Sequence, residues 1–215
     1  MSDAPLDPQP PDLPDEDALE PATAFAQTLE LALLDGVDAT DADLRRIDLR
    51  ESVLTGVDLA GAKLGDAHLV DLRIADGSWA NTRASGAVVR RASFEGVRMT
   101  GADLSATQLE DCRFRGCRID LASFRFAKLE GVRFEDCVLA ETDFYGAAFS
   151  SVVFEGCDLT RAVWAEARFA RSELRGCDIG GAVNPEQLRG VRMPWQDVVA
   201  AAGELAAAVG IEIVD

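Results

Sequence analysis

The sequence predicts an all-β protein, a parallel coil of four sides, and three observations carry that expectation. Every fifth residue from Leu44 to Ile179 is apolar without a slip of frame, a run of 28 five-residue units. A strict short period of this kind decides the architecture of a chain before any other pattern. Glycine collects two residues after these apolar centres, at Gly36, Gly56, Gly61, Gly96, Gly116, Gly156 and Gly181 among others, so that 12 of the 18 glycines fall there. Like residues also recur at a spacing of 20: Phe94, Phe114, Phe134 and Phe154, and again Cys117, Cys137, Cys157 and Cys177. Four units of five per turn of the coil give a square cross-section.

Each unit has a local reason. Two residues before the centre stands a small or branched side chain, as at Ala42, Ser52, Val57, Ala62 and Ala102, and the residue between is usually polar, as at Asp43, Asp58, Lys63 and Asp103. In, out, in is the alternation of an extended strand. The next two residues turn a corner, where glycine tolerates positive φ. Seven turns at the ordinary strand spacing make a rod about 34 Å long. A period of 3.6 fits none of this stretch, and no long helical pattern precedes residue 194.

Units such as Ala102-Asp103-Leu104-Ser105-Ala106 and Ala42-Asp43-Leu44-Arg45-Arg46 match the A(D/N)LXX motif, and over about two thirds of its length the chain resembles the pentapeptide-repeat proteins. The resemblance implies a right-handed quadrilateral parallel β-helix.

The ends lie outside the frame. Residues 1–21 hold Pro5, Pro8, Pro10, Pro11, Pro14 and Pro21 among acidic residues with almost no large apolar group, which reads as a disordered tail. It has neither the basic nor the apolar region of a secretory signal, and no stretch of the chain is apolar enough to span a membrane. Residues 22–41 are expected to form a cap, with Phe25, Leu29 and Leu33 in a short amphipathic segment, and the first partial coil. The β-helix proper spans 42–183. In 184–215, Pro194 opens a predicted helix on which Trp195, Val198, Val199, Ala202, Leu205, Ala206 and Val209 follow helical spacing. Gly210 ends it, and Ile211-Glu212-Ile213-Val214 reads as a short strand. Two readings stay open for this segment: a second cap, which solenoids need to cover their last rung, or a homodimer interface. Its layout of helix then apolar strand is similar to that of the MfpA and Qnr group of the family, whose members bind type II topoisomerases, and that similarity implies the dimer.

Charge divides unevenly. The net charge is −17, yet residues 1–41 carry 11 acidic residues and no Lys or Arg, while residues 42–183 carry 22 acidic against 19 basic. The rod itself is therefore close to neutral, and most of the acidity belongs to the front of the chain.

The search for chemistry finds structural explanations. A coil filled by Leu, Phe, Ile and Ala offers no pocket in which titratable groups gather. His68, the single histidine, takes an outward position between Ala67 and Leu69, as a solvated surface residue. Cys112, Cys117, Cys137, Cys157 and Cys177 all occupy the small inward position, where a thiol behaves as a small core hydrophobe. They read as a reduced ladder in a cytoplasmic protein, with redox sensing a minor alternative. No catalytic, cofactor-binding or metal-binding residue is expected. Eight of the ten phenylalanines sit at centres. Three other large side chains do not: Leu121 and Phe126 at corners, and Tyr145 just past a centre. They are predicted to form an outward patch serving a partner, a dock for the tail, or exposure without a role.

Two functions follow. The first is a non-catalytic protein-interaction scaffold with a partner unidentified by sequence. The alternative, implied by the resemblance, is a DNA-mimicking modulator of DNA gyrase or another type II topoisomerase. Against mimicry, a duplex of about 34 Å carries on the order of 20 charges, and outward arginines such as Arg113, Arg115, Arg118 and Arg133 interrupt any acidic stripe. Direct nucleic-acid binding is not expected, because no basic face interleaved with aromatics appears.

Overall fold

A computed structural model describes residues 4–214. The chain winds as a parallel β-solenoid of about seven turns. Its strands are β1 (Glu20–Ala22), β2 (Thr28–Glu30), β3 (Ala32–Asp35), β4 (Asp48–Thr55), β5 (His68–Ala75), β6 (Val88–Glu95), β7 (Gln108–Arg115), β8 (Lys128–Glu130), β9 (Arg133–Glu135), β10 (Ala148–Ser150), β11 (Val153–Glu155), β12 (Arg168–Ala170) and β13 (Glu173–Arg175). The register is twenty residues per turn throughout the coil. On one side Leu49 pairs with Leu69, Val89, Leu109, Leu129, Phe149 and Phe169 in succession. On the next, Leu54 leads through Ile74, Phe94, Phe114, Phe134 and Phe154 to Leu174.

The other two sides are held by single bridges, such as Asp58 with Ser78 and Asp103 with Ser123. Here the outward residue before the centre has a second task. Asp58 Oδ1 accepts the amide of Ala60 at 2.9 Å, Asp143 that of Tyr145 at 2.9 Å and Asp158 that of Thr160 at 3.0 Å. A short carboxylate that accepts an amide two residues on fixes a tight turn. The preference for Asp in the repeat is thus a corner device as well as a solvated position. Corners themselves use positive φ at glycine and at Asp, Asn and other residues alike, including Asp66, Asn81, Leu121 and Phe126.

The core is filled by stacked ladders. Phe94, Phe114, Phe134 and Phe154 stack with centroids 4.5, 4.9 and 4.9 Å apart, and Phe124, Phe144 and Trp164 stack at 5.3 and 4.7 Å. The thiols of Cys117, Cys137 and Cys157 are buried and donate to the carbonyls of Phe94, Phe114 and Phe134 at 3.5 Å each. All five cysteines are free, and Cys177, on the last turn, is half-buried. Burial pushes the Cys112 thiol up to about 12, as expected for an inert core group.

At the front, β1 pairs in parallel with β3, Glu20 against Ala32, and Leu19 is buried. The cap is therefore built of short strands. At the back, α1 (Trp195–Ala200) and α2 (Ala202–Ala208) replace the single helix expected there. They break at Ala201, whose backbone leaves the helical region at φ −92° and ψ 15°. Residues 211–214 are not a strand: they are exposed and carry no ladder partner, and a strand needs one. That expectation is corrected. No helix among the described residues is long and apolar enough to cross a membrane.

Candidate functional site

With the interior filled, the surfaces are what remain to act, and among the described residues no three His, Cys, Asp or Glu side chains are placed to hold a metal ion. His68 points outward in register with Asp48 and Val88 and is exposed.

The predicted aromatic patch forms in part. Phe126 and Tyr145 meet edge to face with centroids 5.3 Å apart, and the Arg125 guanidinium lies 4.5 Å from the Tyr145 ring centre. A cation over an aromatic face is attracted by the ring quadrupole. Asp143 holds Arg125 at 2.7 Å, and the Tyr145 hydroxyl donates to Glu166 Oε1 at 2.8 Å, which raises its pKa. Gly146 makes the seat for Phe126: a Cβ there would sit 2.7 Å from the ring. Leu121 stands at the preceding corner and is as exposed as Phe126, at 56% each. A five-residue step moves a residue to the next corner of the square, which separates the two.

The C-terminal residues divide between two faces. Leu188, Val191, Met193, Ala201 and Leu205 pack on the end of the coil, and of these only Leu205 belongs to the apolar series that helical spacing marks. Val198 is half-buried. Trp195, Val199, Ala202, Val209, Ile211 and Ile213 are exposed, Trp195 by 77%. Polar groups close the rung as well. Asp197 Oδ2 accepts the Gly176 amide at 2.6 Å, and the buried Glu173 carboxylate is held by Arg175 and, at 2.9 Å, by Arg192.

The acidic front segment lies elsewhere than on the aromatic patch. Asp7 pairs with Arg133, Glu16 with Arg73 at 2.7 Å, and the Asp12 amide donates to Asp71 at 2.9 Å. Asp71 is buried and also bound by Arg91 at 2.7 and 2.5 Å. Burial alone would raise its pKa, but the hydrogen bonds from Arg91 and from the Asp12 amide hold it below the ordinary value.

Charge is mixed on the two bridged sides of the rod. Along one bridged side the outward residues run Asp38, Asp58, Ser78, Arg98, Arg118, Val138, Asp158, Asp178, and along the other Asp43, Lys63, Arg83, Asp103, Ser123, Asp143, Val163, Val183. The first is the more acidic at its ends, with two arginines at its middle.

The fold and surfaces together define a four-sided β-solenoid scaffold. The family description "Pentapeptide repeat region" matches residues 87–164 and 108–184, and "Pentapeptide repeats (8 copies)" matches residues 32–69. The chain belongs to the pentapeptide-repeat family. Among solved structures it is similar to full-length QnrB1, a plasmid-mediated fluoroquinolone resistance protein, at 18% identity and TM-score 0.48 over 83% of this chain and 89% of that one. It is also similar to Rfr23 from the cyanobacterium Cyanothece 51142 (20% identity, TM-score 0.40, 41% and 60% of the two chains). A third likeness is to HetL, involved in heterocyst differentiation regulation in Nostoc sp. strain PCC 7120 (18% identity, TM-score 0.30, 80% and 92%). No curated protein matches the chain.

Proposed function

We propose that the chain is a non-catalytic protein-interaction scaffold that presents its outward side chains on a rigid rod. The observation that carries this reading is the closed, aromatic-filled core beneath an outward aromatic pair, Phe126 and Tyr145, held in place by Arg125, Asp143 and Glu166. Rings fixed by their neighbours lose little freedom on binding, and aromatic residues with Arg are the groups that anchor protein interfaces. The reduced thiol ladder fits a cytoplasmic setting. Affinity capture with the full chain tests the reading. Wild type should retain a specific protein that the double variant Phe126→Ala/Tyr145→Ala, folded by circular dichroism, loses at least tenfold. Equal capture by both would remove this patch as the contact.

The exposed row Trp195, Val199, Val209, Ile211 and Ile213 is proposed as the contact with a second copy of the chain. Sedimentation at micromolar protein should give a dimer for wild type and a monomer for Trp195→Glu. A monomer in both cases would sink this part.

The second reading, modulation of a type II topoisomerase by DNA mimicry, draws on the acidic ends of the side carrying Asp58 and Asp158, and Arg98 and Arg118 at its middle weigh against it. A gyrase supercoiling assay decides: inhibition at micromolar full-length protein supports mimicry, and its absence removes it.

A further inference from the structure

The front segment is seated on the rod in a specific manner. Pro5, Pro8, Pro11 and Pro14, every third residue, are half-buried, as is Leu13, while Leu6, Asp7, Gln9, Pro10 and Asp12 are exposed. A three-residue period of contact is that of the polyproline II helix, which turns once every three residues and has no internal hydrogen bonds. Pro8 to Pro11 line a shallow cavity together with Ala92, Ser93 and Arg113. On either side of that contact, carboxylates reach arginines: Asp7 to Arg133, and Glu16 to Arg73.

The surface beneath is unusual for a sheet. Arg73, Ser93, Arg113 and Arg133 are in direct register on successive turns, so Arg113 and Arg133 are adjacent like charges. Like charges opposite one another in a ladder are unfavourable, and neighbouring turns are about 4.8 Å apart. Glu135 and Glu155 offset part of this, and Asp7 adds a third carboxylate at Arg133, whose side chain is left 17% exposed. Ser93, the short outward residue between Arg73 and Arg113 in this row, leaves a low place beside the Pro8–Pro11 stretch.

We propose that this arginine-flanked side of the rod is a docking groove for an extended, acidic, proline-rich polypeptide, with the chain's own residues 5–16 seated in it as a displaceable occupant. The inference rests on the scaffold reading and gives it a class of partner. Tethering raises the local concentration of the segment to the millimolar range, so a partner must present the same chemistry over a longer stretch or at higher charge. Attachment by exposed ion pairs makes exchange fast and salt-sensitive.

The test uses the full chain and a fluorescein-labelled peptide of residues 4–18 as probe. In the variant Asp7→Lys/Glu16→Lys the segment should leave the groove, and the peptide should bind at least tenfold more tightly than to wild type by anisotropy at low salt. Adding Arg133→Glu to that variant should abolish the gain. Equal binding to wild type and the released variant would overturn the proposal, as would binding that survives Arg133→Glu. Tighter binding of a random duplex DNA of equal charge would also overturn it, making the row a phosphate-binding surface. Wild type offers an independent reading. Its Asp12 amide should be protected from hydrogen exchange and should lose protection as unlabelled peptide is added; an unprotected amide would contradict the seating. Failure here together with retained partner capture at Phe126 and Tyr145 would leave the scaffold reading standing without this groove.

Discussion

Replacing Phe134 with alanine is the sharpest test of the core. Its side chain is fully buried, stacked 4.9 Å from Phe114 on one face and 4.9 Å from Phe154 on the other, with the Phe124 ring edge-on at 6.3 Å. Truncating a buried Phe costs about 3–5 kcal/mol in lost transfer energy and cavity. Interior packing here is continuous from turn to turn, so the hole has no mobile neighbour to fill it, and about 4 kcal/mol is expected. Phe169 supplies the internal control. It stacks on Phe149 at 4.5 Å, is half-buried, and lies on the last full turn, with no aromatic ring beyond it. Phe169→Ala should cost roughly half as much, about 2 kcal/mol, since only one packed face is lost. Urea unfolding followed by circular dichroism and by tryptophan fluorescence measures both. A cost below about 1 kcal/mol for Phe134→Ala, or equal costs for the two, would refute the view that the ladders carry the stability of the rod.

Three further outcomes follow from named contacts. In the native protein a thiol reagent should modify Cys177 alone, with Cys112, Cys117, Cys137 and Cys157 reacting only after denaturation; two or more native thiols reacting together would contradict the burial seen here. Asp71, in contact with Arg91 and the Asp12 amide, has a folded pKa below its unfolded one. The stability it contributes is therefore present above the ordinary carboxylate value, about 3.9, and is lost as pH falls through the lower folded value. The Asp12 amide should stay protected at pH 5 and lose protection only below about pH 4, and loss at pH 6 would show that another group controls the segment. Gly146→Ala places a methyl group 2.7 Å from the Phe126 ring at a φ of 66°. It should cost about 1 kcal/mol or more and break the Phe126–Tyr145 contact, read as a loss of the aromatic ring shifts by NMR.

Much of this was legible because the repeat is a register device. The centres from Leu44 to Ile179 predicted which side chains point inward, and Cys117 to Cys177 and Phe94 to Phe154 fell into stacks for the same reason. Corners were less legible. Gly61 announces positive φ, but Asp66, Leu121 and Phe126 adopt it too, because stacking of the turns imposes the conformation whatever residue stands there. The role of Asp58 and Asp143 in accepting corner amides was hidden, since a polar residue at that place is explained equally by solvent exposure. The Phe126–Tyr145 contact was legible only once four units were counted to the turn, which sets Tyr145 one turn on from Phe126. The ends escaped most. Helical spacing over 195–209 marks the apolar residues, but which of them face the coil depends on the break at Ala201, and the seating of residues 5–14 depends on arginines that are distant in sequence.

Every statement about faces, ladders and grooves depends on one turn being twenty residues, and a pair of deletions measures that directly. Removing residues 88–107 excises one turn and rejoins Ala87 to Gln108 in frame. Removing 88–105 instead shifts every later side chain by two positions and leaves the polar residues of the later units facing inward. The account predicts that the twenty-residue deletion unfolds cooperatively as a shorter rod with its Cys177 and C-terminal cap intact, and that the eighteen-residue deletion does not fold. Equal folding of the two, or failure of the twenty-residue deletion alone, would contradict it.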